Sequence, residues 1–222
     1  ASPEFLVTLS EAIDPARNKS LALGCIDRVA EIILTGDQAL DNPDRHDLTS
    51  EDPAGCAVLL DRACQAAIRC HEPGRAASLA RAATALFERC GLRYKLQHAL
   101  GSLASALTDL GDLEGALRTI ERRRLVLSAE SDYLHVASCY EQMAMLSESC
   151  GNLDNASRYY ELAVQVYESV IDPRNAALAA QAQGSLYLRH GRLDDAVDSY
   201  ERSIEIGAEI SEVVGPGHLG AA

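Results

Sequence analysis

The feature that most restricts how this chain can fold is an internal repeat. The segments Gly111-Asp112-Leu113-Glu114-Gly115-Ala116, Gly151-Asn152-Leu153-Asp154-Asn155-Ala156 and Gly191-Arg192-Leu193-Asp194-Asp195-Ala196 stand 40 residues apart, and each opens an amphipathic run. A fixed period of about 20–50 residues marks a stack of similar supersecondary units, none of which can bury its apolar face alone. One period earlier lies Pro73-Gly74-Arg75-Ala76, where the alanine keeps its place and the glycine has moved. The preceding segments obey the same register. Leu60, Leu100, Tyr140 and Ala180 form one column, and Cys64, Ala104, Ala144 and Gly184 form a second made only of small residues.

Each period reads as helix, turn, helix: 57–70 then 74–89, 92–110 then 113–127, 132–149 then 153–170, and 174–190 then 193–210. The four repeats span 57–96, 97–136, 137–176 and 177–216, with helices ending by 210. Gly91 after Cys90 suits a helix C-terminus, Ser131 an N-cap, and Asp172-Pro173 a break followed by a new first turn. Residues 18–35 carry Leu21, Cys25, Ile26, Val29 and Ile33 on one helical face outside the register, which predicts a flanking helix. The Asp- and Pro-rich stretch 36–56 reads as a loop, either a solvated linker or an acidic docking segment, and 211–222 as a tail. Ala1-Ser2-Pro3-Glu4-Phe5 reads as a cloning remnant, so an excised segment of a larger protein is expected.

Composition agrees with helices packed through small residues: 47% of the chain is apolar, only 5% is aromatic, and there is no Trp. An all-α fold is predicted. A net charge of −13 has the wrong sign for tracking a phosphate backbone, so direct nucleic-acid binding is not expected. The acidity suits either a solvated surface or a partner with a basic segment. Seven cysteines without a C-x-x-C pair fit neither a disulfide framework nor a standard zinc module. With no long apolar run and no secretory leader, a cytoplasmic location without a membrane span is expected.

No nucleophile elbow, phosphate-binding glycine loop or H-E-x-x-H signature occurs, and Gly111, Gly151 and Gly191 are turn residues in register. The chain is therefore read as a non-enzyme without metal or cofactor. Cys56, Cys64, Cys70 and His71 do not converge as a tetrahedral set, because Cys64 sits in the small-residue column. The run Arg122-Arg123-Arg124 reads as an outward-facing patch.

These columns resemble the tetratricopeptide repeat over about 57–210. The fourth copy matches through Gly184, Tyr187, Gly191, Ala196 and Tyr200, with Ser203 where alanine is usual. The third supplies Ala144, Gly151, Ala156, Tyr160 and Ala163, and the second keeps Ala104, Gly111 and Ala116 but has Ile120 and Arg123. The first retains Cys64, Ala76 and Ala83. The 40-residue spacing is similar to that of Pins/LGN-type polarity scaffolds and of MalT-type bacterial regulators.

That resemblance implies a right-handed α-solenoid of antiparallel helix hairpins, with a concave groove lined by the first helix of each pair. The groove would take Asp61, Gln65 and Arg69 from the first repeat, and His98, Ser102, Ser105 and Asp109 from the second. The third would give Ser138, Glu141, Gln142, Met145 and Glu148, and the fourth Leu178, Gln181, Ser185 and Arg189. A family subgroup clamps a chaperone carboxylate with Lys, Asn and Arg at such places, and Asp61, Gln65, Ser102, Ser138 and Gln142 do not reproduce that clamp. The expected activity is an adaptor that binds a protein or peptide. The alternative is a ligand-sensing or self-associating module of a bacterial signal-responsive regulator, with homo-oligomerisation open.

Overall fold

The computed structural model describes residues 2–34, 52–127 and 132–213. The proposed N-cap Ser131, most of the acidic stretch and the tail from 214 lie outside the described residues. All regular structure among the described residues is helical: α1 (Pro3–Ala12), α2 (Pro15–Leu34), α3 (Pro53–Arg69), α4 (Pro73–Arg89) and α5 (Arg93–Asp109) are followed by α6 (Leu113–Val126), α7 (Tyr133–Ser149), α8 (Leu153–Ser169), α9 (Pro173–Arg189) and α10 (Leu193–Val213).

The chain divides into two compact units, Ala1–Val126 and Leu127–Ala222. In the first, α3 pairs with α4 and α5 with α6, α4 packs on α5, and α1 and α2 both lie against α3. In the second, α7 pairs with α8 and α9 with α10, while α8 packs on α9. Small side chains make these approaches close. Cys64, Ala104, Ala144 and Gly184, the small-residue column, are all buried, and Ala76, Ala116, Ala156 and Ala196 are at most 3% exposed.

Tight turns join the helices, and their hydrogen bonds repeat. The backbone N–H groups of Glu72, Leu92, Asp112, Asn152, Asp172 and Arg192 each donate to the carbonyl five residues back, at 2.8–3.0 Å. This is the Schellman closure, which places the preceding residue in the left-handed region. Gly91, Gly111, Gly151 and Gly191 adopt it at φ 67–78°, but His71 (φ 53°) and Ile171 (φ 57°) adopt it with a side chain. His71 thus fills the place of the turn glycine absent from the first repeat. The residue after the turn often caps the next helix: Asp112 Oδ1 accepts from Gly115 N at 2.9 Å and Asn152 Oδ1 from Asn155 N at 3.1 Å.

Ile171 yields a stability prediction. A β-branched residue at positive φ costs about 1–2 kcal/mol, and this one is 88% exposed, so its side chain has little packing to lose. Ile171→Gly should therefore stabilise the C-terminal unit by about 1 kcal/mol after the entropy glycine adds to the unfolded chain. Urea unfolding would show it as a higher midpoint at unchanged slope. Ile171→Ala, which retains a Cβ, should give a smaller gain; an equal gain would show that the left-handed backbone is not the cause.

The structure differs from the sequence expectation at several places near helix starts and on α2. Helix α1 begins inside the presumed remnant, because Ser2 caps Phe5 N at 3.3 Å and Pro3 starts the first turn. Helix α3 starts at Pro53 rather than 57, since Asp52 accepts from Gly55 N at 2.9 Å. On α2 the buried face runs through Ala22, Cys25, Ile26, Val29 and Ile33, leaving Leu21 49% exposed. Asp132 holds the N-cap position of α7 without a side-chain capping hydrogen bond. Helix α2 is also kinked at Asn18, whose side chain accepts from Leu21 N and restarts the helix where the flanking helix is predicted to begin. Arg75 grips Asp27 through Nε and Nη2 at 2.9 and 3.2 Å, and Lys19 meets Glu72 at 2.7 Å, so ion pairs reinforce the packing between α2 and the first hairpin.

Candidate functional site

The first helix of each hairpin buries an Ala/Leu face and leaves a stripe in solvent, and the sixteen predicted groove residues occupy that stripe. None of them is fully buried. In the N-terminal unit, Gln65 Nε2 donates to Ser102 Oγ at 2.6 Å, tying the α3 stripe to the α5 stripe. Arg69, His98, Ser105 and Asp109 are exposed around this bond. Asp61 is half-buried, and its Oδ1 is enclosed without a hydrogen-bond partner. Burial raises its pKa, against the opposing pull of the Lys95 and His98 charges. Tyr94 meets the His98 ring edge-on at 4.8 Å. Lys95 and Tyr94 escaped the sequence reading although both lie on the exposed side of α5.

In the C-terminal unit the stripe is partly closed by its own ion pairs. Arg189 Nε and Nη2 hold the two Glu148 oxygens at 2.9 and 2.7 Å, and His190 Nε2 lies 3.2 Å from one of them. The Arg189 guanidinium keeps the Glu148 carboxyl below its usual range. Glu141 is half-buried, and desolvation raises its pKa despite a hydrogen bond from the Tyr167 hydroxyl. Burial, and then the Glu141 charge, push Tyr167 up to about 12. Two acidic residues suited to a basic partner thus already have internal partners. What stays open is polar and apolar: Gln181 is exposed, Met145 is 59% and Leu178 53% exposed, and Ser138, Gln142 and Ser185 are half-buried. Gln142 Nε2 donates to Ser138 Oγ at 3.4 Å, and the Ser185 and Tyr200 hydroxyls lie 3.0 Å apart.

The basic run does not face outward as a block. Arg122 is exposed and pairs with Glu88 at 2.6 Å, but Arg123 is 91% buried. Its Nη2 donates to Gln97 at 3.3 Å, and its guanidinium lies over Gly101, about 3.5 Å from where a Cβ would stand. Arg123 shares its column with Ala83 and Ala163, which face the packing surface, and Gly101 leaves room for the larger group. Among the cysteines, Cys25, Cys56, Cys64, Cys70 and Cys139 are buried and Cys150 is exposed. Burial pushes the Cys64 thiol up to about 12, away from thiolate chemistry. The described residues contain no group of three potential metal ligands, and none of their helices is long and apolar enough to cross a membrane.

Both units are therefore helical-repeat structures: antiparallel hairpins closed by the same turn, packed through one small-residue register, with a polar stripe on each first helix. Residues 135–209 match the tetratricopeptide repeat family model. No curated protein matches the sequence. Among solved structures, BtubC (BKLC) from P. vanneervenii is similar over 100% of this chain and 97% of its own, at TM-score 0.60 and 17% identity. The nearly identical TPR-like repeats of a putative kinesin light chain from Podosopora anserina are similar over 94% of this chain and 98% of their own, at TM-score 0.64 and 14% identity. A Rap protein complexed with Competence and Sporulation Factor is similar over 93% of this chain and 54% of its own, at TM-score 0.55 and 19% identity. These likenesses establish the fold. Stacked repeats of this kind present extended surfaces suited to binding.

Proposed function

We propose that the chain is a non-catalytic adaptor module of a larger protein, which holds a peptide or partner helix along the exposed stripe of its first helices. The observation that carries this reading is the make-up of the stripe. Side chains able to hydrogen-bond an extended or helical segment (Gln65, Ser102, Gln142, Gln181) remain accessible, and in the C-terminal unit they accompany two exposed apolar side chains, Met145 and Leu178. Apolar anchors among adaptable polar groups are what a segment-binding surface uses. The structure of the Rap protein with Competence and Sporulation Factor supports a fold of this kind accommodating a second molecule.

The test is selection of binders from a displayed peptide library on the wild-type chain, followed by affinity measurement on variants. Met145→Glu with Gln181→Glu should weaken the selected binders by about tenfold or more, the equivalent of roughly 1.4 kcal/mol. Arg158→Glu, on the exposed side of α8, should leave them unchanged. The opposite pattern would move the binding surface to the second helices and end this reading.

A further inference from the structure

The 40-residue register makes α8 and α10 equivalent, yet the two helices meet different surroundings. On α8, Ser157 bonds the Tyr187 hydroxyl, and its backbone carbonyl accepts from Gln183 at 3.1 Å, both groups belonging to α9. Val164, 0% exposed, packs among Ala176, Ala179 and Ala180 of α9. Glu161 receives Arg202 Nη1 at 2.6 Å from α10. One period on, the same places hold Val197, Ile204 and Glu201. There Val197 is 53% and Ile204 71% exposed, and Leu193, a period after the half-buried Leu153, is 61% exposed.

An acidic stripe runs beside this apolar one. Asp194, Asp198, Glu201 and Glu205 are all exposed and follow the i, i+4, i+7, i+11 spacing of one helix face. The basic groups nearest in sequence are already engaged. Arg202 is held by Glu161 and Glu168, and Arg192 by Asp195. A second copy of this helix would bring like charges together.

We infer that the outer face of α10 docks an amphipathic helix of another polypeptide, with a small or apolar face flanked by Lys or Arg. This docking surface is separate from the first-helix stripe. The incoming helix takes on α10 the position α9 takes on α8, seating its apolar face on Leu193, Val197 and Ile204. A basic side chain beside that face meets Glu201 as Arg202 meets Glu161.

The test uses the whole chain and two labelled synthetic helices of about five turns. They share an alanine/leucine face and carry either Lys and Arg or Glu on its flanks. Fluorescence anisotropy should show saturable binding of the basic helix, at least about tenfold tighter than the acidic one, and weakening in about 0.5 M salt. Val197→Asp with Ile204→Asp should cost at least about tenfold. Glu201→Lys with Glu205→Lys should reverse the preference between the two helices, whereas Met145→Glu with Gln181→Glu should change nothing. Equal binding of both helices, or loss only with the Met145 and Gln181 pair, overturns the inference. Binding that emerges only after removal of residues 214–222 shows that the chain covers this face itself, and self-association in sedimentation that Val197→Asp with Ile204→Asp abolishes assigns it to a second copy; either result also overturns it.

Discussion

Phe87→Ala is expected to lower the unfolding free energy of the N-terminal unit by about 3–5 kcal/mol. Phe87 is the largest fully buried side chain among the described residues, on a helix whose other buried positions are mostly alanines. That composition decides the magnitude. A cavity left by an aromatic ring closes partly when neighbouring side chains change rotamer, but Ala83, one turn back on the same helix face, has no rotamer to change. The loss should lie toward the upper part of the range, a large share of the roughly 5–15 kcal/mol that holds an ordinary domain together. Phe87→Leu, which keeps most of the volume, should cost about 1.5 kcal/mol or less. Urea unfolding followed by far-ultraviolet circular dichroism measures both, and near-equal midpoints for Phe87→Ala and wild type would remove Phe87 from the core.

The residues that made this fold legible are those whose role repeats. Ala76, Ala116, Ala156 and Ala196 recur because every hairpin demands a small side chain at the same contact, so three-dimensional packing is written as a one-dimensional period. Features that occur once carry no such signal. Helix α1 has no counterpart in the register, and its buried residues are Val7 and Ser10. Arg123 reads as part of a charged run because its local neighbours are arginines, yet its helix position and the missing side chain at Gly101 send it inward. Ile171 occupies a position for which sequence preference points to glycine, because the turn geometry overrides the residue's own preference.

The candidate site shows the same division. Which residues lie on the solvent side of the first helices follows from helical periodicity, and all sixteen predicted positions have at least partial exposure. Which of them are available to a partner does not follow, because availability depends on pairing between helices. Glu148 and Arg189 stand 41 residues apart and neutralise each other, and Glu141 shares a hydrogen bond with Tyr167 of α8. The acidic residues that suggest a basic ligand in the sequence are in part internal to the C-terminal unit. The accessible chemistry of its first helices is set more by Gln181, Met145 and Leu178.

Overpacking the small-residue contacts should be nearly as damaging as emptying the core. Ala156 is 0% exposed and clusters with Ala144, Tyr160 and Leu186, so Ala156→Leu forces three additional carbons into the seam between α7, α8 and α9. Displacing those helices or driving Tyr160 and Leu186 from their rotamers costs about 1–3 kcal/mol, and leucine's good helix propensity offers no gain over alanine. Ala196→Leu should behave alike on α10. Gly184 sets a stricter limit, since even a Cβ there would stand 3.0 Å from the Tyr200 ring, whose hydroxyl lies 3.0 Å from that of Ser185. For Gly184→Ala, the roughly 1 kcal/mol of helix propensity gained opposes that clash and leaves a small net change. Gly184→Leu has no such compensation and should fall at or beyond the top of the 1–3 kcal/mol range. Asn155→Leu, exposed beside Ala156, should stay within about 0.5 kcal/mol of wild type. If Ala156→Leu and Ala196→Leu unfold at the same denaturant concentration as Asn155→Leu, the alanines do not lie in a close-packed seam, and the 40-residue register does not describe how these helices meet.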